Sequence, residues 1–441
     1  MKNSKFKVED LRQDEDVLDT WFSSWLWPIS VFDGIRFPDN KDINYYYPTN
    51  DLITAPEIIF FWVARMVMAG WEYRQEVPFR NVYFTGIVRD KLGRKMSKSL
   101  GNSPEPLDLI SQNGADAVRV GMLLCSPAGN DLLYDDSLIE QGRNFCNKLW
   151  NAMRLVKGWP VDPDLAQSDI NKVSLDWFDS AFNAALTNIY ALYDDYRLSE
   201  ALMATYKLVW DDFCSWFLEM VKPAYQQPID QATYNTVIEY FEKLLLVLHP
   251  FMPFITEEIW HVVRERADGE SIMVTRQPEP KGFDQSLIDR FAFAEEVIMA
   301  IRNVRKERNI PQKEAIRLFI RKNNNELADT TFDGVAGKLC NVSEDGYVDE
   351  KVENCVSFVV RSTEFFIPLL VKINVEEELA KLEDELNYTR GFLGKVMLKL
   401  DNERFVNSAP PAVVAAERKK QEDSEARIRV LEEQIRGLPG Q

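Results

Sequence analysis

Histidine is nearly missing from this chain: His249 and His261 are the two examples in 441 residues. That scarcity argues against a histidine-based metal site or a histidine-dependent triad, and no metal site is expected. Cysteine is sparse as well. Cys125, Cys146, Cys214, Cys340 and Cys355 form no CxxC pair, and their odd number fits reduced thiols in a cytosol better than a disulfide framework. No apolar run reaches membrane-spanning length, and residues 1–10 are polar and charged rather than a secretory leader. The expectation is a cytoplasmic protein with no membrane partner. Basic charge is also in deficit, with 52 Lys and Arg against 70 Asp and Glu, a net charge of −18. Taken alone, that total argues against nucleic acid.

The distribution of charge says more than its sum. Residues 301–322 hold eight basic side chains (Arg302, Arg305, Lys306, Arg308, Lys313, Arg317, Arg321, Lys322) against Glu307 and Glu314. Residues 89–98 hold five against Asp90 alone. Both bands are available for phosphates. The second contains Lys95-Met96-Ser97-Lys98-Ser99, flanked by Gly93 and Gly101. Two lysines three residues apart, among hydroxyls and glycines, suit a mobile loop that grips a polyphosphate.

With 46% hydrophobic and 12% aromatic residues the chain reads as folded, long enough for two to four domains. Residues 1–135 read as α/β. A short apolar run at 52–55 predicts a strand, 57–70 a helix entered at Pro56 and ended by Gly70, and 81–88 a second strand followed by the lysine loop. Strand, helix, strand is the rhythm of a parallel sheet, whose ligands bind beyond the carboxyl ends of the strands. From about 136 to 308 apolar residues recur at three- and four-residue spacing, predicting helices at 137–159, 174–192, 199–222 and 232–248, a bundle. Residues 316–371 turn to short β-like runs such as 356–360 and 365–369. At the end, Leu379, Leu382, Leu386, Leu393, Val396 and Leu400 follow heptad spacing with Thr389 at the missing position. After a break at 407–411, Val414, Ile428, Leu431 and Ile435 continue the seam in reverse, with Gln421 and Ser424 weakening its middle. An antiparallel helical hairpin is expected.

Several stretches together carry a resemblance. They are Asp19-Thr20-Trp21-Phe22 within 16–24, the IIFFWVARM run at 58–66, residues 94–102, the RNFCNKLW run at 143–150, the HPFMPFITEEIW run at 249–260, and Asn402-Glu403-Arg404-Phe405-Val406 before Ala409-Pro410. The chain resembles the C-terminal portion of the valyl-tRNA synthetase family, class I, over nearly its whole length. The lysine pentapeptide alone indicates class I, whose isoleucyl and leucyl members share the plan; the 58–66 run and the terminal hairpin favour valine. The resemblance implies four regions: 1–135, the C-terminal half of a Rossmann-type catalytic domain with the lysine loop; 136–310, a helical anticodon-binding domain; 311–371, a small mixed α/β segment; and 372–441, a coiled-coil tRNA-binding arm. The family also has a His-x-Gly-His motif and an inserted editing domain. This chain shows neither, so it resembles a fragment starting after the editing insertion.

The implied chemistry is activation of valine by ATP, with Mg2+ accompanying the nucleotide, and transfer to tRNA(Val). A valine carboxylate is already ionised near neutral pH, so attack on the α-phosphate needs positioning and cations more than a base. Lys95 and Lys98 suit that role; Ser97 and Ser99 would donate to the nucleotide, and Met96 would pack down and anchor the loop. Trp21 is expected to wall the valine pocket, and Asp19 to place the amino group or shape that pocket. Where many class I enzymes have Gly-x-Asp, this chain has Ala55-Pro56-Glu57; Glu57 either reaches the ribose or serves the helix dipole. An apolar pocket excludes isoleucine by size and rejects threonine poorly, a limit for which valine-specific enzymes are themselves an illustration.

For RNA, unpaired bases are read by stacking and by hydrogen bonds to their edges. Asn144, Phe145 and Lys148 are candidates from the 143–150 run; Arg302, Arg305, Lys306 and Arg308 from the basic band; Arg418, Lys419 and Lys420 from the return helix of the arm. The 249–260 run reads as a packing motif. Three readings compete: a catalytically incomplete portion of a monomeric valine–tRNA ligase, a stand-alone tRNA-binding module, and a coiled-coil interaction protein. An isoleucyl or leucyl fragment is the variant of the first.

Overall fold

Leu52 and Thr54 alternate with outward residues, and Thr49–Thr54 (β1) forms a strand. In the computed structural model, which describes residues 8–126, 130–323, 325–368, 375–402, 405–406 and 409–436, it pairs in parallel with Phe79–Phe84 (β2), Thr49 opposite Phe79 and Thr54 opposite Phe84. The connection is helical, as the pattern predicts, but in three pieces: a 3-10 turn Pro56–Ile58, a π-helical turn Ile59–Val63 and Ala64–Arg74 (α1). Gly70 does not end it. The helix runs to Arg74 and stops at Gln75, in the left-handed region at φ 58°. Gly70 is instead buried where a Cβ would lie 2.6 Å from the Tyr47 hydroxyl, so close packing explains it. Val88–Arg89 (β3) pairs with Leu132–Leu133 (β4), enclosing the lysine loop, Pro106–Asn113 (α2) and Ala115–Leu124 (α3).

The helical segments follow: Asp136–Lys157 (α4), Asp169–Asp194 (α5), Leu198–Lys207 (α6) continuing through a π-helical stretch Leu208–Phe217 into Leu218–Val221, Gln231–Leu248 (α7), Pro253–Val263 (α8) and Gln285–Glu307 (α9). Ile316–Arg321 (β5), Val342–Val348 (β6), Cys355–Val360 (β7) and Thr363–Pro368 (β8) form a four-stranded sheet in the order β6-β5-β8-β7, with Asp333–Cys340 (α10) between β5 and β6. The 365–369 run is thus a strand to Pro368; Leu369 lies outside the described residues. Val375–Leu400 (α11) and Pro411–Arg436 (α12) are the two terminal helices. Leu382, Leu386 and Leu431 are buried between them, and Arg427–Glu385 and Lys399–Glu417 ion pairs set them antiparallel. Thr389, at the missing heptad position, is buried with its hydroxyl donating to the Glu385 carbonyl. The Leu379 side chain and Glu403, Arg404, Asn407 and Ser408 lie outside the described residues.

The chain divides into two compact units. The first comprises 1–151, 187–206 and 244–277; the second, 152–186, 207–243 and 278–441. Among the described residues no helix is long and apolar enough to cross a membrane.

Candidate functional site

The lysine loop in the first unit is built on Asp90. Its Oδ1 accepts the amides of Leu92 and Arg94, and its Oδ2 accepts Arg94 Nε at 2.8 Å and Asn102 Nδ2 at 2.9 Å. The Asn102 amide, then the Arg94 guanidinium, hold the Asp90 carboxyl well below the usual carboxylate range. Asn102 also accepts the Ser97 amide at 2.9 Å, so one side chain ties both ends of the loop. Gly93 (φ 76°) and Gly101 (φ 62°) take the left-handed turns at those ends, where a side chain would strain the backbone. Arg89 forms an ion pair with Asp131, whose carboxylate also accepts the Ile87 amide and is held low mainly by that arginine.

The expected loop residues divide on this brace. Met96 packs against the cluster of Ala117, Cys125, Leu132, Tyr134 and Ile139, which anchors the loop from below. Ser97 caps the short turn Lys98–Leu100, and its hydroxyl lies 3.1 Å from that of Ser99. Lys95 and Lys98 are exposed. Lys95 Nζ lies 3.8 Å from the Glu57 carboxylate, so the turn that opens the β1–α1 connection meets the loop. Slightly further along, that connection presents Phe61 beside Trp21, ring centroids 6.3 Å apart. Trp21 is half-buried and Phe61 largely exposed. Asp19 serves the backbone: its Oδ1 accepts the Trp21 amide at 2.8 Å and starts the helix Thr20–Ser24.

Sequence reasoning passed over Asp90, Asn102 and Phe61. Asp90 was visible only as the one acid in a basic band, and nothing local marks its bond to Asn102, twelve positions on. The π-helical turn Ile59–Val63 that aims Phe61 is of a kind frequent at functional sites, and sequence periodicity does not reveal it.

The 249–260 run is a packing device, as expected. Asp116 is buried and accepts the Phe254 and Ile255 amides, capping α8. Arg119 donates to the Pro250 and Phe251 carbonyls, and His249 Nδ1 lies 2.7 Å from the Thr256 hydroxyl. Burial raises the Asp116 carboxyl and lowers the His249 imidazole.

Two expected RNA contacts are corrected. Phe145 is 0% exposed and packs on Tyr206, centroids 4.6 Å apart, so it is core and not a stacking platform; Asn144 is exposed and Lys148 half-buried. Arg305 is 2% exposed. Its guanidinium donates to the carbonyls of Pro311 (2.9 Å), Glu314 (2.9 Å), Cys340 (2.6 Å) and Asn341 (3.3 Å). It ties the end of α9 to the small sheet and has no surface left for phosphate. Of its neighbours, Lys306 is exposed, Arg308 is half-buried, and Arg302 lies over the Trp216 ring at 5.5 Å. Arg418 and Lys419 are exposed, whereas Lys420 donates to Glu417 at 2.8 Å. Among the described residues no group of three His, Cys, Asp or Glu side chains could hold a metal ion.

Comparison with known proteins matches three stretches of the chain. Residues 1–135 match the family described as tRNA synthetases class I (I, L, M and V), 176–320 the anticodon-binding domain of tRNA ligase, and 374–439 the valyl tRNA synthetase tRNA binding arm. A valine--tRNA ligase of Parabacteroides distasonis is 57% identical over 436 residues, 99% of this chain and 50% of that one. One of Christiangramia forsetii is 55% identical over the same shares. A solved complex of Agrobacterium radiobacter LeuRS with tRNA and LeuAMS aligns at 20% identity and TM-score 0.47, over 63% of this chain and 34% of that one, too loosely to bear on the site. The chain spans about half the length of the curated relatives it matches, and over that half it belongs to the valine--tRNA ligase family of class I aminoacyl-tRNA synthetases.

Proposed function

We propose that this chain supplies the phosphate-gripping side of a valine-activation site together with the tRNA-binding parts of a valine–tRNA ligase. The observation that carries the reading is the braced loop: Asp90 and Asn102 hold a frame from which Lys95 and Lys98 reach outward, Lys95 beside Glu57. In the reaction, a valine carboxylate attacks the α-phosphate of ATP, the bond to pyrophosphate breaks, and valyl-adenylate forms; a terminal hydroxyl of tRNA(Val) then attacks the acyl carbon, losing its proton as the ester forms and AMP leaves. ATP brings Mg2+ on its phosphates. Lys98 and Lys95 stabilise charge building on the departing pyrophosphate, and Ser97 and Ser99 hydrogen-bond it. Glu57 orients Lys95 or the ribose. Trp21, with Phe61, lines the valine side chain, while Asp19 holds Trp21 in place through the helix it caps. The division into a catalytic half (1–135), an anticodon-binding bundle (136–310), a connecting segment (311–371) and a tRNA arm (372–441) belongs to the same reading.

The chain alone binds tRNA(Val) and does not activate valine, because both of its histidines are engaged in or beside the 249–260 packing motif and neither belongs to a His-x-Gly-His motif. Two measurements test this. Valine-dependent exchange of labelled pyrophosphate into ATP by the 441-residue chain should be absent, and its presence would contradict the reading of incompleteness. Filter binding across a salt series should show preference for tRNA(Val), with affinity falling steeply as salt rises; equal binding of another tRNA at every salt concentration removes the tRNA-binding reading.

A further inference from the structure

Within the second unit, the small sheet buries a charged network on one face. Successive strand residues point to opposite faces. Leu318, Ile320 and Phe365 face α9 and α10, where with Phe293, Phe332 and Ala336 they line a cavity of about 30 Å³. Arg321 and Glu364 are therefore on the other face. Glu364 is 3% exposed, an unusual place for a carboxylate. Its Oε2 accepts Arg321 Nη1 at 3.1 Å and its Oε1 accepts Gln434 Nε2 at 3.0 Å. Arg321 also donates to Glu433 at 3.2 Å. Gln434 is buried, so β5, β8 and the base of α12 meet through four polar side chains.

An apolar contact would hold the helix on the sheet as firmly, since burying charge costs desolvation that the ion pair at best offsets. A polar network does something else: it is satisfied at one registry only. A helix advances about 1.5 Å and turns about 100° per residue, so sliding α12 by one position removes the Gln434 amide from Glu364 and leaves a buried acceptor unpaired. The same helix turns its apolar residues Ile428, Leu431 and Ile435 toward α11, so its two faces have separate tasks. Beyond this base, an open cleft of about 970 Å³, lined in part by Asp289, Ala292, Lys419 and Asp423, lies against the return helix. The base is where the angle is set.

We propose that Arg321, Glu364 and Gln434 are positioning residues that lock the hairpin at one angle on the small sheet and so aim the exposed Arg418 at RNA; the last step rests on the tRNA-binding reading above. Arg418 is sixteen residues from Gln434, about 24 Å along the helix. A tilt of about 10° at the base moves it about 4 Å, more than a hydrogen-bond length. None of the three needs to touch RNA.

The test uses the full 441-residue chain with spin labels on genetically encoded ketone side chains at the exposed positions Glu350 and Glu422. The unmodified network should give one narrow distance distribution. Arg321→Met and Gln434→Ala should each broaden it, with helicity by circular dichroism unchanged. Glu364→Gln, whose oxygen still accepts from Arg321 and whose NH2 can donate to the Gln434 side-chain oxygen once that amide turns over, should stay narrow. In unlabelled protein the first two variants should weaken tRNA(Val) binding about tenfold and lower the slope of log affinity against log salt by up to about 0.7–0.9, the loss of one phosphate contact at Arg418, although Gln434→Ala removes no cation. A distribution that remains narrow and unmoved in both Arg321→Met and Gln434→Ala overturns the lock. Broadening without loss of affinity overturns its role in aiming Arg418. If the parent chain binds no tRNA, the tRNA-binding reading fails by itself, and the distance distributions still decide whether the network sets the angle.

Discussion

The lysine loop and the basic band of residues 301–322 are alike in sequence and opposite in structure. Both concentrate cations in an acidic chain. In the loop, the neighbouring acid and amide, Asp90 and Asn102, are taken up by the backbone and by Arg94, and the lysines stay outside in water. In the band, Arg305 itself does the bracing, drawn inward by four main-chain carbonyls. A run of basic residues therefore does not tell which cations face solvent. What decides it is whether the frame is supplied by other groups or by the cations themselves.

Exchanging the two roles by mutation gives the largest effects. Arg305→Met should destabilise the second unit by about 3–5 kcal/mol, because it strips donors from buried carbonyls and leaves a space in the core. Lys98→Ala should leave urea unfolding unchanged. In a full-length ligase carrying this sequence, the same Lys98→Ala change should slow valine-dependent pyrophosphate exchange by about 10²–10³, the scale of losing one donor to developing charge. A stable Arg305→Met protein, or an unfolded Lys98→Ala protein, would erase the distinction between the regions.

Titration sharpens the contrast through two aspartates with opposite shifts. Burial pushes the Asp333 carboxyl up to about 6, against the hydrogen bond it accepts from the Tyr347 hydroxyl at 3.0 Å. Native protein then holds that proton more tightly than the unfolded chain, whose carboxyl titrates near 3.9. Its contribution favours folding below about pH 4 and is lost as pH rises through about 6. Asp90 is depressed, so its contribution is present above about pH 4 and fades as pH falls toward its native value. Urea titrations of Asp333→Asn should lose the slope between about pH 4 and 6. Asp90→Asn should instead flatten the acid side, read as protection factors of the Leu92 and Arg94 amides that fall in the parent but not in the variant as pH drops below about 4.

Periodicity made much of the fold legible. The helices expected at 137–159 and 232–248 run 136–157 and 231–248, and Leu382, Leu386, Ile428 and Leu431 of the expected seam pack together, because apolar faces must be buried wherever they point; the strand expected at 81–88 runs 79–84 instead. Met96 packs against the core beneath the loop, as expected of the one apolar side chain among its polar neighbours. Gly70 was misread because a glycine required by a close contact with Tyr47 looks in sequence like one required by a turn. Phe145 and Arg305 were misassigned for a related reason: their partners are a distant ring and main-chain carbonyls, which leave no mark on the pattern of side chains. Asn102 escaped because its role exists only after the loop has closed.

The smallest predicted effect separates exposed cations from paired ones among those proposed to meet RNA. Removing one cation that neutralises a phosphate should reduce the slope of log affinity against log salt by about 0.7–0.9. Lys306 and Arg418 are exposed, so Lys306→Ala and Arg418→Ala should each show that reduction in filter binding to tRNA(Val). Lys420 is equally basic but its ammonium is 2.8 Å from the Glu417 carboxylate, which also faces Lys399 at 3.5 Å. That carboxylate competes with any phosphate for the Lys420 charge, and Lys420→Ala should leave the slope unchanged. A slope that falls for Lys420→Ala as it does for Arg418→Ala would mean that RNA displaces Glu417 and that Lys399 alone balances it in the complex. The return helix would then behave as the lysine loop does, with its frame supplied by another residue and its cation released to the ligand.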